Sequence, residues 1–543
     1  MADLDRATML DRLRHESFDV LVIGGGITGV GTALDAASRG LRTALVERDD
    51  FASGTSSKSS KLIHGGLRYL QQGDIRLVYE ALAERQRLRR NAPHLVEVLP
   101  FMIPIMTKDG VMNAKIARAF GWALWMYDLT GGVRIGKLHK RLKKDAAMAH
   151  MPTLPSERLA SAYLYYDAQA DDARLCLTVA RTAAARGAVV LNGARVVAIR
   201  KDGGQVAGAT VRVDGEDVEV RASTVVNAAG VWADDVQALD EATHPDSIRP
   251  AKGIHLMVPW EKVRNDIAVV IPVPKDKRSL FVVPWGEFTY VGTTDTDYDG
   301  PIDDPQCTKE DIAYVLRALN HSLTTPVTEA DVTGTWAGLR PLVKTATSGR
   351  TADMSRKHQV AVSPAGLVSV TGGKLTTYRR MAADAVDAVM DRLDRRGRSR
   401  TRKLRLLGAD GYQEPTTTDI AAHLLRRYGT LAREVEALID AAPELAGPLV
   451  PGLPYVGAEA VYAARHEMAR SLDDVLSRRT RARLMDRAAT SDAAAAVARL
   501  IAPELGWDDS QVADQVAAYR ASVAHEVASG DGPDRTVDAA YGA

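Results

Sequence analysis

Cysteine is nearly absent: Cys176 and Cys307 are the only two in 543 residues. They lie far apart, and no CxxC or Cys/His spacing exists, so neither a disulfide framework nor a zinc or iron–sulfur site organises the chain. Such usage suits a reducing cytosol, and a cytoplasmic location is expected. Charge of one sign is also missing. The net charge is +1, so no overall field favours nucleic acid or an acidic partner, and only local clusters can carry such an argument. No apolar run reaches the roughly 18 residues of a spanning helix. The longest candidate, Phe18 to Ala37, is interrupted by five glycines. Met1 to Ser17 carries Asp, Arg and Glu without an apolar core and does not read as a secretory signal. No HExxH, no His pair with carboxylate spacing and no Asp/Asn-Gly loop occurs, so no metal is expected.

What is present is ordinary globular material, 46% hydrophobic and 26% charged. At roughly 100–200 residues per domain it predicts about three domains, or one large two-domain enzyme. Asp19–Ile23 is a β-branched apolar run of the kind buried in a parallel sheet. It leads through glycines into a helical pattern, Val30 to Arg39, and then a second strand, Thr43–Val46, ending on Glu47. Two further sets of short strands follow, within 188–228 and 254–292. Their alternation predicts antiparallel sheet with one face in use. Strands at 360–362 and 367–370 precede a helix from about Leu375 to Leu393. Beyond the basic stretch Arg398–Arg405, alanine, leucine and arginine at helical spacing predict an all-helical C-terminal domain.

The first strand ends in GxGxxG: Gly24, Gly26 and Gly29. The first glycine makes a tight turn, the second lets backbone approach a pyrophosphate, and the third lets helix and strand pack closely. The helix N-terminus supplies a favourable field for the anion. Glu47, 23 positions after Gly24 at a strand end, suits ribose hydroxyls and disfavours a 2′-phosphate. NAD and FAD share this fingerprint. Thr224–Gly230 and Val370–Lys374 are strands ending in small residues that would also bring bare backbone to a cofactor. A chain that returns twice to one dinucleotide suits a buried flavin.

Together with Thr55-Ser-Ser-Lys-Ser-Ser-Lys-Leu-Ile-His-Gly-Gly-Leu-Arg-Tyr-Leu70, these segments resemble the FAD-dependent glycerol-3-phosphate dehydrogenase family. The resemblance continues through 171–175, 227–232, 252–255, 292–295, 336–341 and 371–379. It covers about Asp19 to Arg380, and the C-terminal domain only loosely. Thr28 stands where the family often has Asn, and 109–145 follows no family pattern. The resemblance implies an α/β fold: a glutathione-reductase-type FAD-binding Rossmann domain interleaved with an antiparallel-sheet substrate domain, plus the helical C-terminal domain. The expected boundaries are 1–75, 160–235 and 350–396 for the discontinuous FAD domain, 76–159 and 236–349 for the substrate domain, and 397–543 for the helical one. It further implies oxidation of sn-glycerol 3-phosphate to dihydroxyacetone phosphate, hydride to FAD, and electrons onward to a membrane quinone. FAD is expected against Gly24, Gly26, Thr28, Gly29, Glu47 and Arg48, then Thr55, Ser56, Ser57, Ser60, Leu62 and His64, and finally Val196, Gly230, Gly373 and Thr376.

Flavin oxidation of a secondary alcohol needs a base at the hydroxyl while hydride leaves carbon for the flavin. A substrate phosphate needs fixed cations, ideally Arg with its planar fork. Arg68 and Tyr69 lie just past a Gly-Gly turn, and Arg340 stands in a Gly-Leu-Arg-Pro turn. Lys374 sits at a helix start, where a cation is poorly placed unless an anion is near. The resemblance puts Arg340, Lys374 and Arg356 around the phosphate. A single arginine is ordinarily a solvated surface charge; turn context and resemblance single these out. His64 and His255 compete as base. Period-two alternation puts Ile254, Leu256 and Val258 on one face and His255 with Met257 on the other. A lone strand histidine is more often structural, which favours His64. Neutral imidazole, with an ordinary pKa of ~6.5, stays competent beside cations that lower it.

The main alternative is a glycerol-3-phosphate oxidase that passes electrons to oxygen and makes hydrogen peroxide. An amine or amino-acid oxidase fits the accumulated cations less well, and a flavin-free binding protein would be colourless. Phe120, Trp122, Trp125 and Tyr127, with basic residues from Lys115 to Lys144, compose either a core helix with a solvated loop or a peripheral contact with an anionic membrane surface. A homodimer stays open.

Overall fold

The computed structural model describes residues 4–65, 75–107, 137–276, 278–344 and 357–531. Arg68, Tyr69, Arg356 and the aromatic cluster Phe120–Tyr127 lie outside them.

Among the described residues, eight strands form a first sheet. Its path runs β17 (Gln359–Val362), β18 (Val368–Thr371), β10 (Glu216–Asn227), β1 (Ser17–Ile23), β2 (Thr43–Val46) and β7 (Val189–Leu191). β9 (Gln205–Val213) pairs with β10, and β8 (Ala194–Asp202) with β9. The 188–228 segment is therefore not simply antiparallel. β7 runs parallel to β2, and the end of β10 runs parallel to β1 and β18. The switch sits inside β10. Residues 216–223 alternate exposed and buried after the first two, as an antiparallel strand with one wet face does, whereas Thr224–Asn227 are buried without a break. A strand covered by helices on both faces needs that continuous run. Helix Ile27–Ser38 packs here between helices Asp172–Ala185 and Tyr378–Arg392.

The second sheet follows the path β15 (Thr296–Asp297), β11 (Ile248–Pro259), β14 (Phe288–Gly292), β13 (Ser279–Trp285), β12 (Ala268–Pro272), β4 (Glu97–Met106), β6 (Leu159–Gln169) and β3 (Leu62–Ile63). β16 (Gly334–Val343) joins β11, and β5 (Lys140–Lys143) joins β6. Among the described pairs of this sheet, only β12–β4 is parallel. Both faces of this sheet are in use, against the expectation of one. Ile254, Leu256 and Val258 pack with Ile312, Val315 and Leu319 of helix Lys309–His321. Met257, Tyr290 and Trp336 pack on the other face with Leu472, Val475 and Leu476 of the C-terminal helices. Residues 160–169, expected in the cofactor unit, lie instead in β6, because that strand pairs with β4 from Glu97↔Gln169 to Met106↔Leu159.

From Ile420 to Asp531 all the elements are helical. None of the described helices is long and apolar enough to cross a membrane, and no described group of three His, Cys, Asp or Glu could hold a metal ion.

Candidate active site

The cavity lies where the two sheets meet, with a volume of about 730 Å³. One end is the glycine turn. Gly24 has φ +109°, and a Cβ there would stand 2.7 Å from the Ala228 carbonyl oxygen; a Cβ on Gly29 would stand 1.9 Å from the Gly24 oxygen. Only bare backbone closes this turn. Gly26 caps helix Ile27–Ser38 with no side-chain hydrogen bond. The N-terminal end of the helix lines the cavity, with Ile27 N already donating to Ser56 Oγ, so its dipole favours an anion there. Gly24, Gly26 and Thr28 line it. Gly29 does not; it sits behind, inside the turn.

At the end of β2, the Glu47 carboxylate accepts from Gly25 N at 2.5 Å and from Asp49 N at 2.9 Å. Burial, then the charges of Asp49 and Asp50, push it up from 4.5 to about 7. The Arg48 guanidinium lies over the Trp232 ring, 4.9 Å from its centroid, and Asp303 accepts from both side chains. Trp232 had no assigned role in the sequence, since nothing there marks a ring paired with Arg48 across 184 positions.

If the Glu47 carboxylate accepts the ribose hydroxyls, cofactor affinity depends on pH. Binding selects the carboxylate, so affinity should rise with pH through 7. The apoprotein is expected to bind FAD roughly tenfold more weakly at about pH 6 than at about pH 8, and Glu47→Gln should flatten that dependence. Apoprotein stability carries the opposite sign: a raised folded pKa means the Glu47 contribution is present below 4.5 and lost as pH rises through about 7. An affinity unchanged with pH, measured by flavin fluorescence, would remove Glu47 from the site.

The middle of the cavity is the Thr55–His64 segment. Thr55, Ser56, Ser60, Leu62 and His64 line it, together with Val196, Gly230, Gly373 and Thr376 from the chain's later returns. Ser56 Oγ accepts from Ile27 N at 2.9 Å, and Thr55 donates to the Leu339 carbonyl at 2.6 Å. Ser57 is buried behind the segment, away from the cavity.

The far end holds His255, Arg340 and Lys374, with His64 close by. His64 follows β3, its backbone N–H donates to Thr376 Oγ1 at 3.2 Å, and its ring meets Phe281 edge-on at 6.2 Å. His255 is buried in β11, its ring stacked on Trp336 at 4.8 Å and 11°. Its Nε2 hydrogen-bonds Ser60 Oγ at 2.9 Å, while Nδ1 has no hydrogen-bond partner among the described residues. Burial, then the Lys61 and Arg340 charges, hold His255 well below 6.5, so the imidazole is neutral. Gly292 leaves room for the ring, since a Cβ there would lie 2.4 Å from His255 Cδ2.

Arg340 stands in β16, not in a turn. Pro341, which lacks an N–H, is tolerated because β16 pairs only with β11 among the described strands. Its fork donates to Asp295 at 3.3 Å, Thr293 Oγ1 at 3.2 Å and the Thr294 carbonyl at 3.1 Å. Gly253 had been given no role. The guanidinium crosses β11 there, and a Cβ would stand 2.5 Å from Arg340 Nη2.

The lining, with a bare glycine turn and His255 in one cavity, fits a dinucleotide, which Gly24, Gly26 and the helix N-terminus would hold by its pyrophosphate. Residues 19–379 match the family described as FAD dependent oxidoreductase, and 399–512 match the C-terminal domain of alpha-glycerophosphate oxidase. Glycerol-3-phosphate dehydrogenase 2 of Mycobacterium tuberculosis is 44% identical over 97% of this chain and 92% of its own. The human mitochondrial glycerol-3-phosphate dehydrogenase is 37% identical over 96% of this chain and 75% of its own. The structure of a glycerol-3-phosphate dehydrogenase from Bacillus halodurans complexed with FAD superposes with a TM-score of 0.78 at 30% identity, covering 98% of this chain and 99% of that one.

Proposed function

The chain belongs to the FAD-dependent glycerol-3-phosphate dehydrogenase family, with FAD as its cofactor, and from that premise we propose that it oxidises sn-glycerol 3-phosphate to dihydroxyacetone phosphate. The observation that carries this reading is one cavity joining a bare-backbone pyrophosphate turn to a buried neutral histidine beside an arginine fork. Bound FAD supplies the acceptor for the hydride that leaves carbon 2. Everything else falls to the chain's own residues.

Arg340 and Lys374 hold the substrate phosphate in this reading, joined by Arg356 as the resemblance implies, with Arg68 and Tyr69 as further substrate contacts from their place after the Gly-Gly turn. Arg340's fork is oriented in advance by Asp295 and Thr293, so binding loses less rotamer freedom. Arg340→Lys keeps the charge and drops the fork. kcat/KM for glycerol 3-phosphate should fall at least about tenfold, or ~1.4 kcal/mol, with flavin content intact. Unphosphorylated glycerol should be a poor substrate for either form; equal turnover of glycerol by the wild type would refute the phosphate clamp.

The hydroxyl proton goes to a histidine, and His255 is supported over His64. A tautomer with hydrogen on Nε2 donates to Ser60 Oγ and leaves Nδ1 as an acceptor that has no hydrogen-bond partner among the described residues. The ring is held on both sides before substrate arrives, as a general base must be.

A membrane quinone is the final acceptor in this reading, as the resemblance implies, and relatives named as dehydrogenases favour it over oxygen. The test is steady-state turnover of glycerol 3-phosphate in air with a soluble quinone analogue, scored for dihydroxyacetone phosphate, quinol and peroxide. Product formed with quinol supports the assignment, product with stoichiometric peroxide identifies an oxidase, and no product rejects the reading. A peripheral contact with the inner face of the membrane goes with the quinone. Lys137, Lys140, Arg141, Lys143 and Lys144 are exposed on and around β5, and basic side chains are drawn to anionic lipid. The protein should sediment with anionic vesicles at low salt, and neutralising Lys140, Arg141 and Lys143 should weaken it. Sedimentation unchanged by that triple variant would exclude this patch.

A further inference from the structure

A buried carboxylate ties the C-terminal helices to the segment that lines the cavity. Asp172 opens helix Asp172–Ala185 and is fully buried. Its Oδ2 accepts from the backbone N–H of Ser59 at 3.0 Å and from the Ser59 hydroxyl at 2.7 Å. Lys61 Nζ donates to both oxygens at 3.2 and 3.3 Å, and Arg481 Nη2 to Oδ1 at 3.2 Å. The preceding Asp171 faces Arg427 at 3.5 Å and Arg481 at 3.7 Å. Arg427 and Arg481 both come from the C-terminal segment. Arg481 is itself anchored on the Ser477 carbonyl at 2.7 Å and also donates to the carbonyl of Ser57.

Buried ion pairs are weak contributors to stability, because desolvation offsets their attraction. What they do enforce is position. Here they position a strap, residues 57–61, four of whose five carbonyls accept hydrogen bonds. Ser57 O accepts from Lys61 and Arg481, Ser59 O from Trp336 Nε1 at 3.2 Å, Ser60 O from Tyr290 Oη at 2.8 Å, and Lys61 O from Ala170 N at 2.9 Å. Lys61 adopts φ +56°, a conformation an L-residue rarely takes unless its surroundings impose it. With the backbone so fixed, the Ser60 hydroxyl meets His255 Nε2. The Trp336 ring carries the His255 ring, and the Lys61 ammonium sits 4.6 Å from the same indole.

We propose that Asp172 and Arg481 are positioning residues, which clamp the Ser57–Lys61 strap so that Ser60 Oγ orients His255, making the helical C-terminal segment part of the catalytic apparatus. The proposal rests on the reading of His255 as the base. It gives the C-terminal segment a role that needs no external partner.

The test uses the full-length FAD-loaded enzyme and follows anaerobic flavin bleaching by glycerol 3-phosphate. Arg481→Met and Ser60→Ala should both load FAD and bleach at least about tenfold more slowly at saturating substrate. The loss should appear in the first-order rate constant with full bleaching amplitude and with KM moved less than about twofold, whereas a partly unfolded sample loses amplitude and keeps its rate constant. Arg481→Lys should recover part of the rate. The double variant should be no slower than the slower single one, since both act through one link. Rates within about twofold of wild type, or losses that multiply in the double variant, would overturn the proposal. If Arg481→Met does not fold, Ser59→Ala removes only the hydroxyl bridging Asp172 and the Lys61 N–H, and the same kcat loss is required of it. A substrate-free readout separates this from the reading beneath it. The visible circular dichroism of bound FAD should change in Arg481→Met, and an unchanged spectrum counts against the strap. A wild type that glycerol 3-phosphate fails to bleach counts against the substrate assignment alone.

Discussion

Gly26→Val is expected to give a folded protein that carries no FAD through purification. A Cβ at Gly26 meets only the Ser56 hydroxyl, at 3.1 Å, so the turn itself survives with a small adjustment. The branched side chain nonetheless occupies the mouth of helix Ile27–Ser38, where a pyrophosphate must touch backbone N–H groups to gain the helix field. Neighbouring glycines would not discriminate. Gly29→Val would drive a Cβ to 1.9 Å from the Gly24 oxygen and break the turn whether or not a cofactor binds there. The variant should be colourless at about 450 nm with wild-type far-ultraviolet circular dichroism. Near-normal flavin content would mean the pyrophosphate lies elsewhere.

His255→Asn is expected to slow flavin reduction by roughly 10²–10⁴-fold, the range for loss of a general base, while FAD remains bound. Because burial and nearby cations hold His255 well below 6.5, the imidazole is already neutral through the physiological range. The wild-type bleaching rate should therefore show no rise with pH above ~6.5 from this group. His64→Asn should cost less, since the hydroxyl proton goes to His255 in this reading. The reverse order of damage would move the proton to His64.

Much of the cavity's backbone geometry was legible in the sequence. The βαβ unit, Glu47 and the two later glycine turns carry their reason locally: backbone approach, strand ends and helix starts follow short-range rules. The alternation at 254–258 correctly placed His255 opposite Ile254, Leu256 and Val258. What favours His255 as base could not be seen there. Its Ser60 contact spans 195 positions, and the Trp336 stack depends on the β11–β16 register. Arg340 was read as a turn residue because proline usually marks one, and only sheet topology reveals an edge strand that tolerates it. The second sheet's other face was missed for a similar reason. Period-two patterning registers Met257, Tyr290 and Trp336 singly, and not the C-terminal helices that cover them. Asp172 and Arg481 are 309 positions apart. No local signal joins them.

The central claim is that this cavity holds FAD and oxidises glycerol 3-phosphate with it. The most direct measurement is an anaerobic titration of the purified yellow protein with sn-glycerol 3-phosphate, following absorbance at about 450 nm. Full bleaching with release of dihydroxyacetone phosphate, and none with glycerol at the same concentration, is the result predicted. A flavin that stays oxidised under excess glycerol 3-phosphate, or a protein that binds no flavin, would contradict it.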